Sequence, residues 1–439
     1  MRYYYLIIGL VLAISPAYAQ QEMTLHLMNN VFQSSHTNPA LRPKNNVHIS
    51  LLSSYQFGAT NSGFNYNQLV SQIETNEDGQ RVLDIGKLYN NIKLNGRDYI
   101  NLNGSVDLFA LGFRSGKGRF SFNVTEHFQT RLGYSEALFE AAVVGNTPGE
   151  TLDFSGYWLK GMHYREIGLG YNRKMLEDDK LVVGGRLKTL FGMANVNTKR
   201  ADFSIATAGE DELYTLTLHS DMLVQTSGLG LLGDGEADYI ANTKNFGMGV
   251  DLGATYQLNQ KISFSGSVID LGFISWKEDV TNYRSEGTFI YEGSASDGSL
   301  ADDGLEIDIT ALADSIADTF EVVEDSAAYQ TGLPTKMYLT GYYRLARNTQ
   351  ASATLYTDYI GSFRRGLALG ISQQLGRWFQ ASATYSMQAR SYNNLGLGIT
   401  ATTGAKGLQI YAVTDNVMAL TNPGGARVAN VRGGFNFVF

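Results

Sequence analysis

The alternation that decides the fold runs through Phe246-Gly-Met-Gly-Val-Asp-Leu-Gly-Ala-Thr-Tyr256, in which every second residue is apolar. A repeat of two is typical of a β-strand, because successive side chains point to opposite faces of the sheet. One face of this strand suits lipid, and the other suits water and close backbone contact. The same contrast returns at 166–172, 337–345 and 379–387.

Further strand-like runs bounded by turn residues fill most of the chain. They lie at 47–55, 100–113, 119–128, 181–192, 212–220, 261–270, 282–291, 350–358, 366–374, 394–401, 408–414 and 430–439. Their number and their length of ~10 residues match a transmembrane barrel. A soluble β-sandwich or propeller is the alternative. Aromatic residues near strand ends, as in interfacial girdles, favour the barrel: Tyr256, Tyr338, Tyr356, Trp378 and Tyr392.

The composition excludes several classes of protein. With 34 basic and 42 acidic residues the formal charge is 34 − 42 = −8, so the chain lacks the basic surface that a nucleic-acid binder needs. Charged residues make up 17%, below the roughly 25% of soluble chains, whereas Gly, Tyr and Phe are abundant. The chain contains no Cys, which rules out disulfides, thiolate metal sites and Cys nucleophiles.

Residues 1–19 have the pattern of a secretory signal peptide. Arg2 precedes an apolar run, and Ala17-Tyr18-Ala19 offers a small-x-small site, so we expect cleavage after Ala19. Beyond it, no 18 consecutive residues are apolar, so a membrane-spanning form of the mature chain would have to be a closed barrel.

The last residues, 431–439, form an alternating strand that ends on an aromatic residue. This ending resembles the C-terminal assembly signal of bacterial outer-membrane barrels, and the resemblance assigns that role to Phe435, Phe437 and Phe439. It implies the bacterial outer membrane as the location, with outer-membrane lipid and the barrel-assembly machinery as partners.

A second resemblance lies near the N-terminus, where Asn38-Pro39-Ala40 precedes the first strand. This step is similar to the N-terminal motif of FadL-type fatty-acid transporters and of PorV-like barrels of type IX secretion. Within this group the chain resembles an uncharacterised set of outer-membrane barrels, and that similarity covers the first ~60 mature residues, 270–273 and the last ~30 residues. It implies an all-β fold: a transmembrane antiparallel β-barrel of about 14 strands at 47–439, with residues 20–46 as an N-terminal arm or hatch. Without any family, Pro39 still favours an extended Asn38, as in a simple turn before a strand.

If the apolar stripes face lipid, the alternation turns several charged residues into the lumen, because a charge on the lipid face at midplane costs about 2–4 kcal/mol. These lumen-lining candidates are Asp107, Glu166, Arg186, Lys188, Asp251 and Arg344. Their mixed signs allow two interpretations: they line a solute path, or they pair and lock a filled interior.

Small helices are expected only in loops, at 135–144 and 305–320. The glycines of 228–233 formally match a dinucleotide-binding motif but lack its following helix, so we interpret them as a loop. We find no catalytic, metal or cofactor motif and expect no enzyme and no cofactor.

Two functions remain open. One is a passive channel or carrier for small solutes, hydrophobic ones among them, gated by the N-terminal arm. The other is a structural or partner-binding barrel of a secretion or cell-surface complex, like the PorV-like proteins.

Overall fold

The computed structural model describes residues 22–75, 81–91, 98–145, 147–176, 178–209, 215–231, 239–291, 322–359, 363–376, 378–388, 391–404 and 407–439. The predicted signal peptide at 1–19 and the predicted loop helix at 305–320 lie outside these residues.

Strands dominate the described chain. In chain order they are β1 (Val47–Asn61), β2 (Ile73–Thr75), β3 (Arg81–Leu83), β4 (Asp98–Ser115), β5 (Gly118–Tyr134), β6 (Thr151–Asp153), β7 (Trp158–Met175), β8 (Leu181–Thr207), β9 (Leu216–Ser227), β10 (Asn245–Gln257), β11 (Ile262–Trp276), β12 (Val280–Tyr291), β13 (Val323–Asp325), β14 (Tyr329–Gly332), β15 (Thr335–Ala346), β16 (Thr349–Tyr359), β17 (Phe363–Leu375), β18 (Phe379–Gln388), β19 (Ser391–Thr402), β20 (Gly407–Thr414) and β21 (Val428–Val438). The α-helices are α1 (Met23–Leu27), α2 (Tyr66–Val70), α3 (Ile85–Asn91), α4 (Ala137–Val143) and α5 (Met418–Thr421), and 3₁₀ turns cover Phe32–His36 and Pro423–Gly425.

Fourteen of these strands close into one antiparallel barrel. Their order is β1, β4, β5, β7, β8, β10, β11, β15, β16, β17, β18, β19, β20 and β21. The last strand pairs with the first, from His48 opposite Val438 to Thr60 opposite Val428, so the sheet has no open edge along this seam. Closure satisfies the backbone polar groups internally, which a lipid-embedded sheet requires. The predicted all-β transmembrane barrel of about 14 strands is therefore confirmed.

The two ends of the barrel differ in their connections. At the end that carries the start of β1 and the end of β21, neighbouring strands are joined by two to five residues. At the opposite end, most connections are long and contain α2, α3, α4, α5 and the small strands. Short turns on one side and long loops on the other are typical of outer-membrane barrels, whose long loops face outward from the cell. We call these the short-turn end and the long-loop end.

A side sheet extends the wall at the long-loop end. The second half of β8 leaves the barrel and pairs with β9, from Asn195 opposite Ser227 to Thr207 opposite Leu216. β12 then pairs with β9, and β13 pairs with β12. The strands predicted at 212–220 and 282–291 therefore correspond to β9 and β12 of this side sheet rather than to barrel strands, with 212–214 outside the described residues.

The period-two pattern places apolar side chains on the outside. Met248, Leu252, Leu339 and Leu369 are examples of exposed outward residues. Phe435, Phe437 and Phe439 alternate with the buried Arg432, Asn436 and Val438, so they face outward too. Among the described residues, no helix is both long and apolar enough to cross a bilayer.

The predicted aromatic girdle is partly wrong. Tyr256, Trp378 and Tyr392 are exposed on the outer face, as expected. Tyr338 and Tyr356 are instead buried in the interior, because each lies one position away from an outward-facing residue on its strand. Aromatic residues near a strand end therefore do not by themselves identify the lipid-facing side.

The N-terminal segment occupies the lumen. All residues of α1 are buried, and residues of the 3₁₀ turn that follows are buried as well. Side chains of this segment bond to the inner faces of strands on several sides of the barrel, including β11, β15, β18 and β21. Because the segment is surrounded by the wall, it fills space that would otherwise be open. We call residues 22–46 the arm.

Candidate functional site

The arm is held near the short-turn end by Asn38 and Pro39. The Asn38 Nδ2 donates to Ser265 Oγ of β11 at 2.8 Å, and the Asn38 Oδ1 accepts from the backbone N–H of Ala40 at 2.8 Å. The Pro39 carbonyl accepts from Asn172 Nδ2 of β7 at 2.9 Å. The Asn-Pro-Ala step thus bridges β7 and β11 through Asn38 Nδ2 and the Pro39 carbonyl, and the Asn38 Oδ1 is satisfied within the step.

Two glycines of the wall make this close approach possible. A Cβ on Gly184 would lie 2.5 Å from the Pro39 carbonyl oxygen, and a Cβ on Gly253 would lie 2.0 Å from Asn38 Oδ1. Such distances are far below van der Waals contact, so any side chain at these positions would push the arm away. The inward glycines of β8 and β10 therefore form a notch for the arm, defined by Gly184 and Gly253.

His26 anchors the arm in the middle of the lumen. Its ring stacks on Tyr338, with 4.9 Å between ring centroids and an interplanar angle of 6°. Thr37 Oγ1 donates to the Ser34 carbonyl, so it accepts from His26 Nδ1 at 2.8 Å, and His26 Nε2 lies 3.0 Å from Thr340 Oγ1. A neutral imidazole with its proton on Nδ1 fits this pattern when Thr340 donates to Nε2. Burial lowers the pKa of His26 to about 4, which favours the same form.

The beginning of the arm meets the far side of the barrel. The backbone N–H of Thr24 donates to Asp415 Oδ1 at 2.7 Å, and the carboxylate of Glu22 pairs with Arg432. Burial raises the pKa of Asp415 to about 6, although hydrogen bonds from Thr24 and Asn430 favour its ionised form. The arm is therefore fixed at both ends and in the middle.

A network of charges lies beside the arm, and all of them are buried except Lys336, whose side chain is 37% exposed. The Lys188 ammonium is within 3.2 Å of Glu166, 2.9 Å of Asp251 and 2.5 Å of Asp270. Lys336 approaches the other oxygen of Asp270 at 3.0 Å. Each of these pairs joins different strands, so the network ties β7, β8, β10, β11 and β15 together. We call these residues the lysine cluster.

Arg186 links the lysine cluster to the arm. Its Nη2 donates to the Ser35 carbonyl and to Ser35 Oγ, both at 3.0 Å, while its Nη1 lies 3.5 Å from Asp251. Next to Ser35, His36 Nε2 lies 3.7 Å from Asp107 Oδ2. The arm is therefore bound electrostatically to the same charges that cross-link the wall.

A cavity of about 90 Å³ remains above the arm. Its lining combines charged groups with aromatic and aliphatic surface; the principal residues are Glu22, His36, Asp107, His127, Glu166, Lys188, Asp270, Lys336, Arg432, Ile269, Tyr164, Tyr338 and Phe128. His36 Nε2 and His127 Nε2 are buried there without a hydrogen-bond partner among the described residues, although each lies within 4 Å of a carboxylate. The cavity therefore offers both polar and apolar contacts.

The lumen-lining candidates are found close together, with one exception. Asp107, Glu166, Arg186, Lys188 and Asp251 are all buried in the interior and belong to the contacts just described. Arg344 also lies on the inward face of its strand, but its side chain is exposed at the rim of the short-turn end. There it lines a pocket together with Arg42.

Sequence reasoning missed Asp270, Lys336 and Arg432. Asp270 has a φ of 61°, and the bulge there turns both Ile269 and Asp270 inward. A strict period of two cannot anticipate two successive inward residues. Lys336 and Arg432 follow the regular alternation and could have been found by extending the same argument to their strands.

The described part of the chain shows no metal centre. No group of three or more His, Asp or Glu side chains there is arranged to hold a metal ion. The buried carboxylates of the lumen are instead neutralised by lysine and arginine.

The outward apolar face, the closed seam and the filled lumen define a transmembrane β-barrel with an internal N-terminal plug. Residues 39–415 match the family described as "Family of unknown function (DUF5723)", and the chain belongs to this family. No curated protein sequence matches the chain.

Solved structures similar to this one include barrels of the FadL type, as the sequence resemblance indicated. The TodX monoaromatic hydrocarbon channel deltaS2 mutant is 9% identical, with 92% of each chain covered and a TM-score of 0.45. The Pseudomonas putida toluene transporter TodX is 10% identical, covers 96% of this chain and 93% of its own, and gives a TM-score of 0.41. A Pseudomonas aeruginosa FadL homologue is 9% identical, with 97% and 100% covered and a TM-score of 0.44.

Proposed function

We propose that this protein is an outer-membrane channel or carrier for small solutes, and that the arm closes its lumen. The proposal includes export by the signal peptide at 1–19 with cleavage after Ala19, and insertion through the C-terminal aromatic signal. The observation that carries it is the position of the arm: a segment that contributes no strand to the barrel occupies the lumen. It is held there by polar contacts and by packing of Met23, Leu25 and Met28 against the wall. A segment held in this way can leave without opening the sheet.

The chemistry of the lumen narrows the class of solute. Small solutes that combine a charged group with an apolar part suit it best, because the cavity places Lys188 and Lys336 near Tyr164 and Tyr338. The charged group of such a solute could form ion pairs with residues of the lysine cluster in place of their present partners. A pure hydrocarbon could form no such pairs with the buried charges that it passes. Among hydrophobic solutes, we therefore propose mainly those that also have a charged group.

Deleting residues 20–46 tests the gate. The mature chain and the deletion variant are refolded in detergent and reconstituted into planar bilayers and liposomes. We expect low conductance from the complete chain and a conductance at least several-fold higher from the variant. Protein-dependent uptake, taken as the excess over protein-free liposomes, should be larger for benzoate than for benzyl alcohol, which has similar size but no charge. Absence of flux in both proteins would contradict a transport function.

One observation favours the alternative, a structural or partner-binding barrel like the PorV-like proteins. The side sheet projects beyond the barrel and carries exposed apolar residues, among them Ile290, Val322 and Val323. Exposed apolar surface on an extension outside the barrel is typical of a protein contact. Recovery of a stoichiometric partner from intact membranes, lost when Val322 and Val323 are replaced by serine, would support this function instead.

A further inference from the structure

The outer wall of the barrel contains an apolar groove of about 1310 Å³. This volume exceeds the roughly 300–1,000 Å³ of ordinary small-molecule sites. Its sides are outward residues of successive strands, and Leu252, Leu339 and Leu355 among them are half exposed. Inward residues of the same strands also line it, so the groove lies against the part of the wall that holds the arm; these residues are Gly184, Gly253, Ser267, Tyr338 and Tyr356.

Small residues create the floor of the groove. Ala254 of β10 lies opposite Gly266 of β11, and Gly266 lies opposite Leu339 of β15. From there a continuous row of cross-strand partners crosses the wall toward the long-loop end: Leu339, Leu355, Leu367 and Met387. The large side chains of this row therefore border a depression whose floor is formed by the small residues Ala254 and Gly266. An extended apolar chain fits such a depression along its length.

One end of the groove is polar. Arg365 lines it and is exposed, two residues after the start of β17 at the long-loop end. In the described part of the chain, no carboxylate lies within 4 Å of its guanidinium, and the groove lining contains no acidic residue. The opposite residue, Thr357, has a buried hydroxyl without a hydrogen-bond partner in the described chain. The Arg365 guanidinium and the Thr357 hydroxyl thus lie near the end of the strands, where lipid headgroups meet a membrane barrel.

We propose that this groove is a binding site for a membrane lipid with an anionic headgroup. The acyl chains lie over Gly266 and the leucine row, and the headgroup phosphate accepts hydrogen bonds from Arg365 and Thr357. Arginine binds phosphate with two parallel N–H donors. An exposed arginine near the end of a lipid-facing strand costs only about 0–1 kcal/mol, so its position is compatible with the membrane.

A second copy of the chain fits the groove less well. In a two-fold symmetric dimer the same patch lies on both sides of the interface. Two Arg365 side chains would then approach each other with no acidic residue in the patch to separate them, and two depressions would face each other unfilled. The site rests only on the membrane-embedded fold and is independent of solute transport through the lumen.

Native mass spectrometry of the refolded protein tests the site with phosphatidylglycerol and phosphatidylcholine as probes. We expect the complete chain to retain phosphatidylglycerol in preference to phosphatidylcholine. Arg365→Gln should lower that retention about five-fold, as expected for one basic residue near a lipid surface. Arg173→Gln, which removes an exposed arginine from β7, is the charge control and should leave retention unchanged.

Gly266→Val fills the groove floor and should lower retention of both lipids. A Cβ there meets nothing closer than 3.9 Å, so the strand accepts it. Gly341→Val is the matched control, because its Cβ also meets nothing closer than 3.9 Å but lies outside the groove. Equal retention of the two lipids, or equal loss in both glycine variants, would overturn the proposal. A dimer that Gly266→Val dissociates would replace it with a protein interface.

Discussion

At the scale of single residues, the interior is organised by charges that have no access to bulk water. Lys188 is surrounded by three carboxylates, and an apolar side chain in its place could not compensate their charge. Removing one partner of a buried ion pair is strongly destabilising, because the remaining charge keeps its desolvation cost without compensation. The two interpretations of the lumen charges, a locked interior and a solute path, differ in how much such a removal costs.

Lys188→Met should therefore lower the free energy of unfolding by about 3–5 kcal/mol. Urea unfolding of the refolded barrel in detergent measures this change. Adding Asp270→Asn to the same chain should recover part of the loss, because fewer carboxylates are left unpaired. A change of less than about 0.5 kcal/mol, the range of ordinary surface substitutions, would show that water already solvates the cluster and that the lumen is open.

The pH dependence of arm docking should reveal the titration of His26. Its pKa is lowered from 6.5 to about 4 in the docked arm, so the docking energy is complete above pH 6.5 and is lost as the pH falls toward 4. The shift corresponds to about 3 kcal/mol. Asp415 acts in the opposite direction: its pKa is raised to about 6, so its contribution is largest at low pH and is lost as the pH rises through 6.

Because the two effects oppose each other, His26→Gln provides the test. In this variant the contribution of Asp415 is no longer offset by that of His26, so docking should strengthen between pH 7 and pH 4, whereas the unmodified chain should change little. The natural chain has no Cys, so a spin label on Asn29→Cys is unique and reports the mobility of the arm. Identical pH profiles for the two proteins would rule out His26 as a titrating anchor.

At the scale of elements, the fit between the arm and the wall depends on which glycine of β8 faces inward. Gly184→Ala places a Cβ 2.5 Å from the Pro39 carbonyl oxygen, whereas Gly185→Ala places one no closer than 3.6 Å to any neighbouring atom. We expect Gly184→Ala to displace the arm, raising bilayer conductance several-fold with the barrel intact. Gly185→Ala should behave like the unmodified chain. Equal conductance in both variants would mean that the arm does not block the path.

The strands were largely predictable from the sequence, whereas their assembly was not. The period of two identified β10 and β15 with the correct outward face, because one side of each is apolar. The same pattern could not separate barrel strands from the side sheet, since β9 and β12 alternate in the same way. The bulge at Asp270 breaks the alternation, which is why the centre of the lysine cluster was incomplete in the sequence analysis.

The contacts of the arm were beyond prediction for a different reason. The Asn38-Pro39-Ala40 step was noted from the sequence, but its partners Ser265 and Asn172 lie more than a hundred residues away. Side chains that meet across a lumen share no local pattern, and only the register of the closed barrel brings them together. The same holds for Glu22 and Arg432, which join the two ends of the chain.

At the scale of the whole molecule, the barrel and the arm contribute differently to stability. β21 supplies hydrogen bonds to both β1 and β20, so removing it leaves two open edges with unpaired backbone groups in lipid. The arm supplies no strand. Its loss exposes polar side chains that water in the lumen can solvate, together with a few apolar ones such as Ile269 and Val413. The barrel should therefore survive without the arm but not without its last strand.

Heat-modifiable migration on a denaturing gel distinguishes these cases, because a closed barrel resists detergent until it is boiled. The chain lacking residues 20–46 should keep a fast-migrating form that disappears on boiling, and the chain lacking residues 428–439 should have none. If the arm deletion also loses the fast form, the arm is a folding element that the wall requires. It could then not leave the lumen as a gate, and the partner-binding function would become the better account of the protein.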